Sequence, residues 1–199
     1  MNNIVYALGD KLYINLTNRC PCACTFCIRQ NGDTVGDSDP LWLEYEPTAE
    51  EVCAALAARH LPDYSEIVFC GYGEPTCALE VLLAVCRYLR GVCKHPLRLN
   101  TNGLGDLVNG RAVAPLFTGL LDTVSVSLNA SDAEKYMALC RPRYADAFEA
   151  MLQFAADCRA YVPEVLLSVV DVLPTEELAA CQRLADERGL TLRVRRFEG

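Results

Sequence analysis

Short apolar-rich segments alternate with longer amphipathic segments along the whole chain. A two-residue period predicts strands, and helical spacing of apolar residues predicts the helices between them. The predicted strands lie near residues 12–17, 66–71, 97–102, 123–129, 165–171 and 190–196. The predicted helices lie near residues 48–60, 77–91, 105–118, 131–140 with 144–160, and 175–188. This alternation is typical of a parallel sheet in a single α/β domain, which we expect to span residues 1–199.

Three of the predicted helices begin at recognisable capping residues. Thr48 with Glu51 and Ser131 with Glu134 have the spacing of a capping box, in which side chains and backbone satisfy each other's free groups. Thr175 follows a proline and is expected to cap the last helix. These signals support the helix boundaries that the periodicity predicts.

Four of the predicted strands, the first, third, fourth and sixth, differ from ordinary buried parallel strands because each has one apolar and one polar face. In the first strand the two faces hold Leu12, Ile14 and Leu16 against Tyr13, Asn15 and Thr17. Parallel strands covered by helices on both faces are normally apolar throughout, and a closed eight-stranded barrel fills its lumen with apolar layers. We therefore predict a partial (βα)6 barrel, similar to a TIM barrel, with helices outside and a polar, ligand-holding lumen. The helical crossovers argue against an antiparallel sheet with one solvated face.

Three cysteines follow the first predicted strand at a spacing suited to an iron–sulfur cluster. Cys20, Cys24 and Cys27 are separated by three and two residues, and cysteine thiolates are the usual ligands of [4Fe–4S] clusters. Three such ligands leave the fourth iron open to another molecule. A zinc site needs a fourth ligand, which Cys22 is too crowded to provide, and a thioredoxin-like pair would not explain Cys20. The spacing therefore favours a [4Fe–4S] cluster.

A glycine-rich segment follows the second predicted strand. In this run, Cys-Gly-Tyr-Gly-Glu-Pro at residues 70–75, Gly71 and Gly73 allow the backbone to approach a ligand closely. The carboxylate of Glu74 can contact an ammonium group. A plain strand-to-helix turn is the alternative, but the position of the segment one strand after the cysteine loop favours a ligand site.

Composition places these motifs in an ordinary globular protein. The 199 residues are 52% hydrophobic and 22% charged, with a net charge of −8. This acidity argues against general nucleic-acid binding, which depends on Lys and Arg. No apolar segment approaches the ~18 residues of a membrane span, and the N-terminus lacks the pattern of a signal peptide. We therefore expect a cytoplasmic protein whose cysteines are metal ligands and buried thiols rather than disulfides.

With these motifs the chain resembles the radical S-adenosylmethionine (SAM) superfamily over its whole length, and most resembles the TatD-associated radical SAM proteins. The resemblance implies that Cys20, Cys24 and Cys27 ligate the cluster and that Phe26 lies near the adenine of SAM. The glycine segment is similar to the one that receives the SAM amino group, with Tyr72 in place of the usual second glycine. The matching residues of this segment are Gly71, Tyr72, Gly73, Glu74 and Pro75.

The resemblance also assigns residues along the polar strand faces and just beyond the fourth strand. Ser125, Ser127 and Asn129 are implied to reach the ribose of SAM, Arg141 to lie near its carboxylate, and Val170 to contact its adenine. Asn100 and Asn102 belong to a run that is similar to the third-strand segment of the family.

The resemblance implies an enzyme that cleaves SAM reductively. One electron from the reduced cluster would cleave the sulfonium and give a 5′-deoxyadenosyl radical, which abstracts a hydrogen from the substrate. The implied partners are SAM and a reductant such as flavodoxin or ferredoxin. The composition argues against a membrane and against nucleic acid, and a homodimer is left open. We expect a small anionic or nucleotide-like substrate, because no second domain is expected to grip a macromolecule. Activase-like modification of a protein partner and a non-catalytic iron–sulfur or redox module are the alternatives.

A few residues have both a functional and a structural interpretation. Arg193 and Arg195 on the last predicted strand either face the lumen and bind an anionic group or belong to a solvated strand face, and Arg195 is included among the candidate cofactor-binding residues. Cys70 and Cys140 either present a thiol to the substrate or are buried as small hydrophobic residues. Trp42, in the long acidic loop after the cysteines, belongs to a substrate lid or to a solvated loop.

Overall fold

The computed structural model describes residues 2–196, whose strands form one seven-stranded sheet. In spatial order the strands are β1 (Val5–Leu8), β2 (Lys11–Ile14), β3 (Glu66–Phe69), β4 (Leu97–Thr101), β5 (Thr123–Ser127), β6 (Glu164–Val170) and β7 (Thr191–Arg195). Strands β2 to β7 are parallel, and β1 pairs antiparallel with β2. The predicted partial barrel is confirmed, because the parallel strands follow one another in order and the sheet is not closed.

The N-terminal hairpin is an element that the hydrophobic pattern did not predict. Leu8 pairs with Lys11, which leaves Gly9 and Asp10 as a two-residue turn. Gly9 has a φ of 58°, and a type II′ hairpin turn requires positive φ at its first central residue. The Gly-Asp pair was the available signal, but the strand before it is apolar at every position and shows no two-residue period.

The helices lie between the parallel strands and cover the outer face of the sheet. They are α1 (Ala49–Ala57), α2 (Leu79–Val92), α3 (Gly105–Asn109), α4 (Ala133–Cys140), α5 (Ala147–Cys158) and α6 (Thr175–Glu187). Short 3₁₀ helices span Ile28–Gln30, Leu61–Asp63, Pro75–Ala78 and Ala114–Phe117. Within residues 2–196, none of the helices has the length and apolar character needed to cross a bilayer.

The helix predicted near residues 105–118 is much shorter in the structure. It ends at Asn109 because Gly110 adopts the left-handed conformation, with a φ of 62°, and so terminates the helix. The rest of the predicted segment contains the 3₁₀ helix that begins one residue before Pro115.

One of the three predicted helix caps is present. Thr48 and Glu51 form the predicted capping box at the start of α1. The capping box predicted at Ser131 is wrong, because Asp132 caps α4 by accepting a hydrogen bond from the Lys135 backbone. The cap predicted at Thr175 is also wrong, since Thr175 is the first residue of α6 and no side chain caps that helix.

Strands β2, β4 and β5 have the predicted apolar and polar faces, whereas Val68 of β3 and Leu166 of β6 are buried apolar residues on the lumen face. Fully buried apolar residues on the helix-covered face include Leu12, Ile14, Ile67, Leu99, Val124, Val126, Leu167 and Val169. The buried polar residues on the lumen face are Asn15, Arg98, Thr123, Ser125 and Ser168. Val194 departs from the pattern and is 51% exposed, because β7 is an edge strand that α6 covers only in part.

The long loop at residues 31–47 packs against the lumen side of the hairpin. Tyr6, Val35, Leu41 and Tyr72 form a small second core there, separate from the core under the helices. The side-chain nitrogen of Asn15 donates a hydrogen bond of 2.7 Å to the carbonyl of Leu41. The loop is therefore anchored next to the cysteine loop at the barrel mouth.

Candidate active site

The cysteine loop leaves the carboxyl end of β2 and is fixed by the segment that follows α4. The backbone nitrogen of Ala23 donates to the carbonyl of Cys140 at 3.1 Å. An antiparallel bridge between Cys22 and Pro142 extends this contact. The loop is thus attached to a second element of the barrel mouth, which defines the positions of its thiols.

The cysteines of the loop differ in burial. Cys20, Cys24 and Cys27 are partly exposed, whereas Cys22 is 6% exposed. A hydrogen bond from the Cys140 thiol, followed by one from Cys22, lowers the pKa of Cys24, and a hydrogen bond from Cys22 lowers the pKa of Cys20. The same thiol contacts, together with burial, raise the pKa of Cys22. The three predicted ligands are therefore more accessible than Cys22, which supports their selection.

Two side chains direct N–H donors at sulfur atoms of the loop. Arg29 Nε lies 3.4 Å from Cys27 Sγ. Asn102 Nδ2, at the end of β4, lies 3.8 Å from both Cys20 Sγ and Cys22 Sγ. Among residues 2–196, no three His, Cys, Asp or Glu side chains are grouped to hold a single metal ion. Accessible thiols with N–H donors beside them fit a [4Fe–4S] cluster, whose sulfurs commonly accept hydrogen bonds.

The glycines of the segment at residues 70–75 are required by the protein's own packing. A Cβ atom at Gly71 would lie 2.1 Å from Asn15 Oδ1, and one at Gly73 would lie 2.1 Å from the carbonyl oxygen of Thr17. Any larger residue would push the segment away from the end of β2, where the cysteine loop begins. The glycines therefore hold the two motifs together.

The buried carboxylate of Glu74 is engaged by protein donors. Its Oε1 accepts hydrogen bonds from the Thr76 backbone at 3.1 Å, the Thr76 hydroxyl at 2.8 Å and the Thr101 hydroxyl at 2.7 Å. Its Oε2 accepts one from the Asn102 backbone at 2.7 Å. Burial raises the pKa of Glu74, and these donors oppose that shift. Glu74 thus joins β3 to β4, and only Oε2 has capacity for the ligand ammonium that the resemblance assigns to it.

The structure places most of the remaining predicted residues on the lumen side of the mouth. Ser125 and Val170 are buried, and Ser127 pairs in register with Ser168. Other predicted residues in this region are the partly buried Phe26 and Asn100 and the buried Tyr72 and Pro75. Their contacts with SAM stay a prediction.

Asn129 and Arg141 both adopt left-handed backbone conformations but differ in environment. Asn129, with a φ of 62°, is 6% exposed, and its side-chain nitrogen donates to Cys140 Sγ at 3.4 Å. Its Oδ1 atom is buried and has no hydrogen-bond partner within residues 2–196. Arg141, with a φ of 45°, ends α4 and has an exposed side chain. Asn129 is thus the better placed of the two to contact a ligand inside the barrel.

The two arginines of β7 have different surroundings. Arg195 is partly buried, and its Nε atom is buried without a hydrogen-bond partner in the described part of the chain. Burial raises the pKa of Cys70, while a hydrogen bond from Asn100 and then the charge of Arg195 act to lower it. Arg193 is exposed, although its register partner Ser168 lies on the lumen face.

Arg29 is a residue of the site that the sequence did not predict. Its position two residues after a predicted ligand is a weak signal, because arginines are common on exposed loops. Its contact with Cys27 is visible only in the folded loop.

The sequence comparisons identify a family. The model of the radical SAM superfamily matches residues 14–187. GTP 3',8-cyclase from Corynebacterium glutamicum is 34% identical over 145 residues, which cover 67% of this chain and 34% of that protein. A probable dual-specificity RNA methyltransferase, RlmN, from Prochlorococcus marinus is 32% identical over 72% of this chain and 39% of its own length. GTP 3',8-cyclase 2 from Mycobacterium bovis is 28% identical over 94% of this chain and 50% of its own length. The chain therefore spans half or less of the length of these relatives.

Solved structures with the same fold agree with this match. Streptococcus suis SuiB bound to S-adenosylmethionine has a TM-score of 0.71 at 14% identity, covering 96% of this chain and 41% of SuiB. The structure of anSMEcpe with bound AdoMet has a TM-score of 0.65 at 18% identity, covering 93% of this chain and 50% of that chain. At these identities the likeness concerns the fold, and the family model carries the assignment. The chain belongs to the radical SAM superfamily of enzymes.

Proposed function

We propose that Cys20, Cys24 and Cys27 hold a [4Fe–4S] cluster and that the polar lumen binds SAM beside it. When bound, these groups would supply the one-electron cleavage of SAM to a 5′-deoxyadenosyl radical, which abstracts hydrogen from the substrate. The chain's own residues bind both groups, hold the substrate within reach and exclude water. The observation that carries the proposal is the contact of the cysteine loop with the end of β4, where Asn102 lies 3.8 Å from the Cys20 sulfur across 82 residues of sequence.

Polar side chains of the lumen support SAM binding. Ser125 and Ser127 lie on the lumen face of β5, and Asn129 follows them at the mouth. The Oδ1 atom of Asn129 is buried without a partner in residues 2–196. An unsatisfied buried acceptor is costly, so a ligand hydroxyl that donates to it would be stabilised. A ribose offers such a hydroxyl.

The proposed substrate is a small molecule with a carboxylate or phosphate. Arg195 supports this part of the proposal, because it is in register with Val170 of β6 and its Nε atom is buried without a partner within residues 2–196. A guanidinium in a recess is costly unless an anion pairs with it. One anionic group is sufficient, since the exposed Arg193 does not need a partner.

The relatives support a nucleotide-like substrate more than an RNA. Two of them are named GTP 3',8-cyclases, while the net charge of −8 disfavours RNA binding. Activase-like modification of a protein partner is the alternative. The proposal includes a flavodoxin or ferredoxin as reductant, a cytoplasmic location and a place among the TatD-associated radical SAM proteins.

Anaerobic reconstitution tests the cluster and the SAM chemistry together. The wild-type protein should bind about four irons per chain and, once reduced, release 5′-deoxyadenosine from SAM. Cys20→Ala, Cys24→Ala and Cys27→Ala should each lose the cluster, whereas Cys22→Ala is the matched control and should keep it. If Cys22→Ala alone loses the cluster, the ligand set is wrong.

A further inference from the structure

Arg29 lies between a predicted cluster ligand and the single tryptophan of the chain. Its Nε atom is 3.4 Å from Cys27 Sγ, and its Nη1 donates to the carbonyl of Asn18 at 3.1 Å. Its guanidinium carbon is 5.5 Å from the centre of the Trp42 ring, within the range of a cation–π contact. Three different contacts therefore fix the orientation of one partly buried guanidinium.

Trp42 is itself held in place by the glycine segment. Its ring meets the Tyr72 ring edge to face, with the centres 5.1 Å apart. Tyr72 is 4% exposed, and its hydroxyl donates to the carbonyl of Gly32 at 2.7 Å. Leu41 and Leu43, on either side of Trp42, are buried. Tyr72 thus supports a series of contacts that runs through Trp42 and Arg29 to the Cys27 sulfur.

We propose that Arg29 is a positioning residue that donates a charge-assisted hydrogen bond to the Cys27 sulfur and raises the reduction potential of the cluster. This inference rests on the proposed function, because Cys27 must be a cluster ligand. The reduced cluster carries one more negative charge than the oxidised cluster, so a fixed cation beside a ligand sulfur stabilises the reduced form. The reaction concerned is the uptake of one electron from an external one-electron reductant, with no atom transferred.

The neighbouring arginines have other roles. The guanidinium of Arg19 is paired with Glu46, at 2.6 and 2.7 Å. Arg141 and Arg143, on the segment that pairs with the cysteine loop, are exposed. In the part of the chain that the structure describes, Arg29 is the arginine whose N–H contacts a cysteine sulfur. The guanidinium carbon of Arg29 also lies 5.5 Å from the centre of the Trp42 ring, which adds a second contact that holds the guanidinium beside Cys27.

A redox titration of the reconstituted protein, followed by the EPR signal of the reduced cluster, tests the proposal. In Arg29→Gln we expect the equilibrium constant for one-electron reduction of the cluster to fall about tenfold. This change corresponds to a midpoint potential ~59 mV lower. Arg29→Lys keeps the charge but not the planar fork, so it should recover part of the shift. Arg159→Gln makes the same charge change just beyond the end of α5 and should leave the midpoint unchanged.

Trp42 provides a second readout that needs no cluster. In the unloaded protein, Arg29→Gln should change the fluorescence of Trp42, because the guanidinium leaves the ring, whereas Arg159→Gln should not. If the wild-type protein binds no cluster, the proposed function is wrong. If Arg29→Gln binds a cluster at the wild-type midpoint, only the inference about Arg29 is wrong. If Arg29→Gln cannot bind a cluster, the Trp42→Leu variant is the deciding test. Loss of the Trp42 ring should release the Arg29 guanidinium and lower the midpoint potential of the cluster. An unchanged midpoint potential in Trp42→Leu would overturn the inference.

Discussion

The two sides of the barrel mouth hold their charged side chains in opposite ways. On the β3–β4 side, the buried carboxylate of Glu74 accepts hydrogen bonds from Thr76, Thr101 and Asn102. On the β7 side, the Nε atom of Arg195 is buried and has no partner within residues 2–196. A buried charge that the protein itself satisfies is part of the scaffold, whereas an unsatisfied one has capacity for a ligand. The comparison therefore separates the half of the mouth that holds the loops from the half that is available to a substrate.

The position of the strands explains this difference. β3 and β4 are interior strands with a neighbour on each side, so the loops that follow them meet and exchange hydrogen bonds. β7 is an edge strand, and only β6 lies beside it within the described residues. Within residues 2–196, Arg195 therefore has a neighbouring strand on one side only.

Removing Glu74 should have the largest effect of the substitutions that test this comparison. Glu74→Ala removes four hydrogen bonds to a buried carboxylate and leaves the Thr101 hydroxyl and Asn102 N–H without an acceptor. Each such bond to a charged group is worth about 1.5–3 kcal/mol, so we expect the unfolding free energy to fall by at least ~3 kcal/mol. Urea denaturation of the unloaded protein measures this change.

Glu80→Ala is the control for that experiment. Glu80 is exposed and pairs with Arg111 on the surface, and such pairs contribute less than about 1 kcal/mol. A loss from Glu74→Ala as small as that from Glu80→Ala would show that the hydrogen bonds of Glu74 do not hold the mouth together.

The sequence was sufficient for the parallel part of the fold. Alternation such as Leu12, Ile14 and Leu16 against polar neighbours predicts both the strands and their two faces, because burial on one side imposes a period of two. The hairpin strand Val5–Leu8 lacks that period, since both of its faces contact apolar groups. The short α3 was missed because Gly110 ends a helix only when it adopts positive φ, which the residue type allows but does not require.

The second substitution tests the open side of the mouth. Arg195→Ala should keep the cluster and the slow release of 5′-deoxyadenosine, but it should lower kcat/KM for the substrate about 10- to 100-fold. A charge-assisted hydrogen bond worth about 1.5–3 kcal/mol accounts for that range. Candidate anionic metabolites, assayed by the deoxyadenosine that each one stimulates, supply the measurement.

Arg193→Ala is the matched control, because it removes the same charge from an exposed position two residues away. Equal effects of the two substitutions would mean that β7 acts through its overall charge rather than through a pocket at Arg195. In that case the proposed anionic substrate would lose its structural support.

The candidate site was predictable to the extent that it depends on local sequence. The cysteine spacing and the glycine segment are short runs whose chemistry follows from residue type and order. The series of contacts from Tyr72 through Trp42 and Arg29 to Cys27 joins residues up to 45 positions apart through an irregular loop. Loop conformation has no periodic signature, so residue type alone could not place these side chains together. The engagement of Glu74 was missed for the same reason, since the donors Thr101 and Asn102 come from the end of β4.

The smallest expected effect concerns Glu46. Its carboxylate is paired with Arg19 but exposed, so it is neither buried like Glu74 nor without a partner like the Nε atom of Arg195. Burial acts to raise the pKa of Glu46, but hydrogen bonds from Arg19 and then Thr17 outweigh it and hold the pKa below its usual range. Because the pKa of Glu46 is lower in the folded protein than in the unfolded chain, the ion pair stabilises the protein above the unfolded-state pKa of about 4.3. This stabilisation is lost as the pH falls through the folded-state pKa. Because the side chains of Arg19 and Glu46 are 60% and 40% exposed, we expect Glu46→Gln to cost less than about 1 kcal/mol at pH 7. Urea midpoints of the unloaded wild-type and variant proteins, measured from pH 7 to pH 3, should converge at the acid end. A constant difference across that range would show that Glu46 acts through packing rather than through its charge.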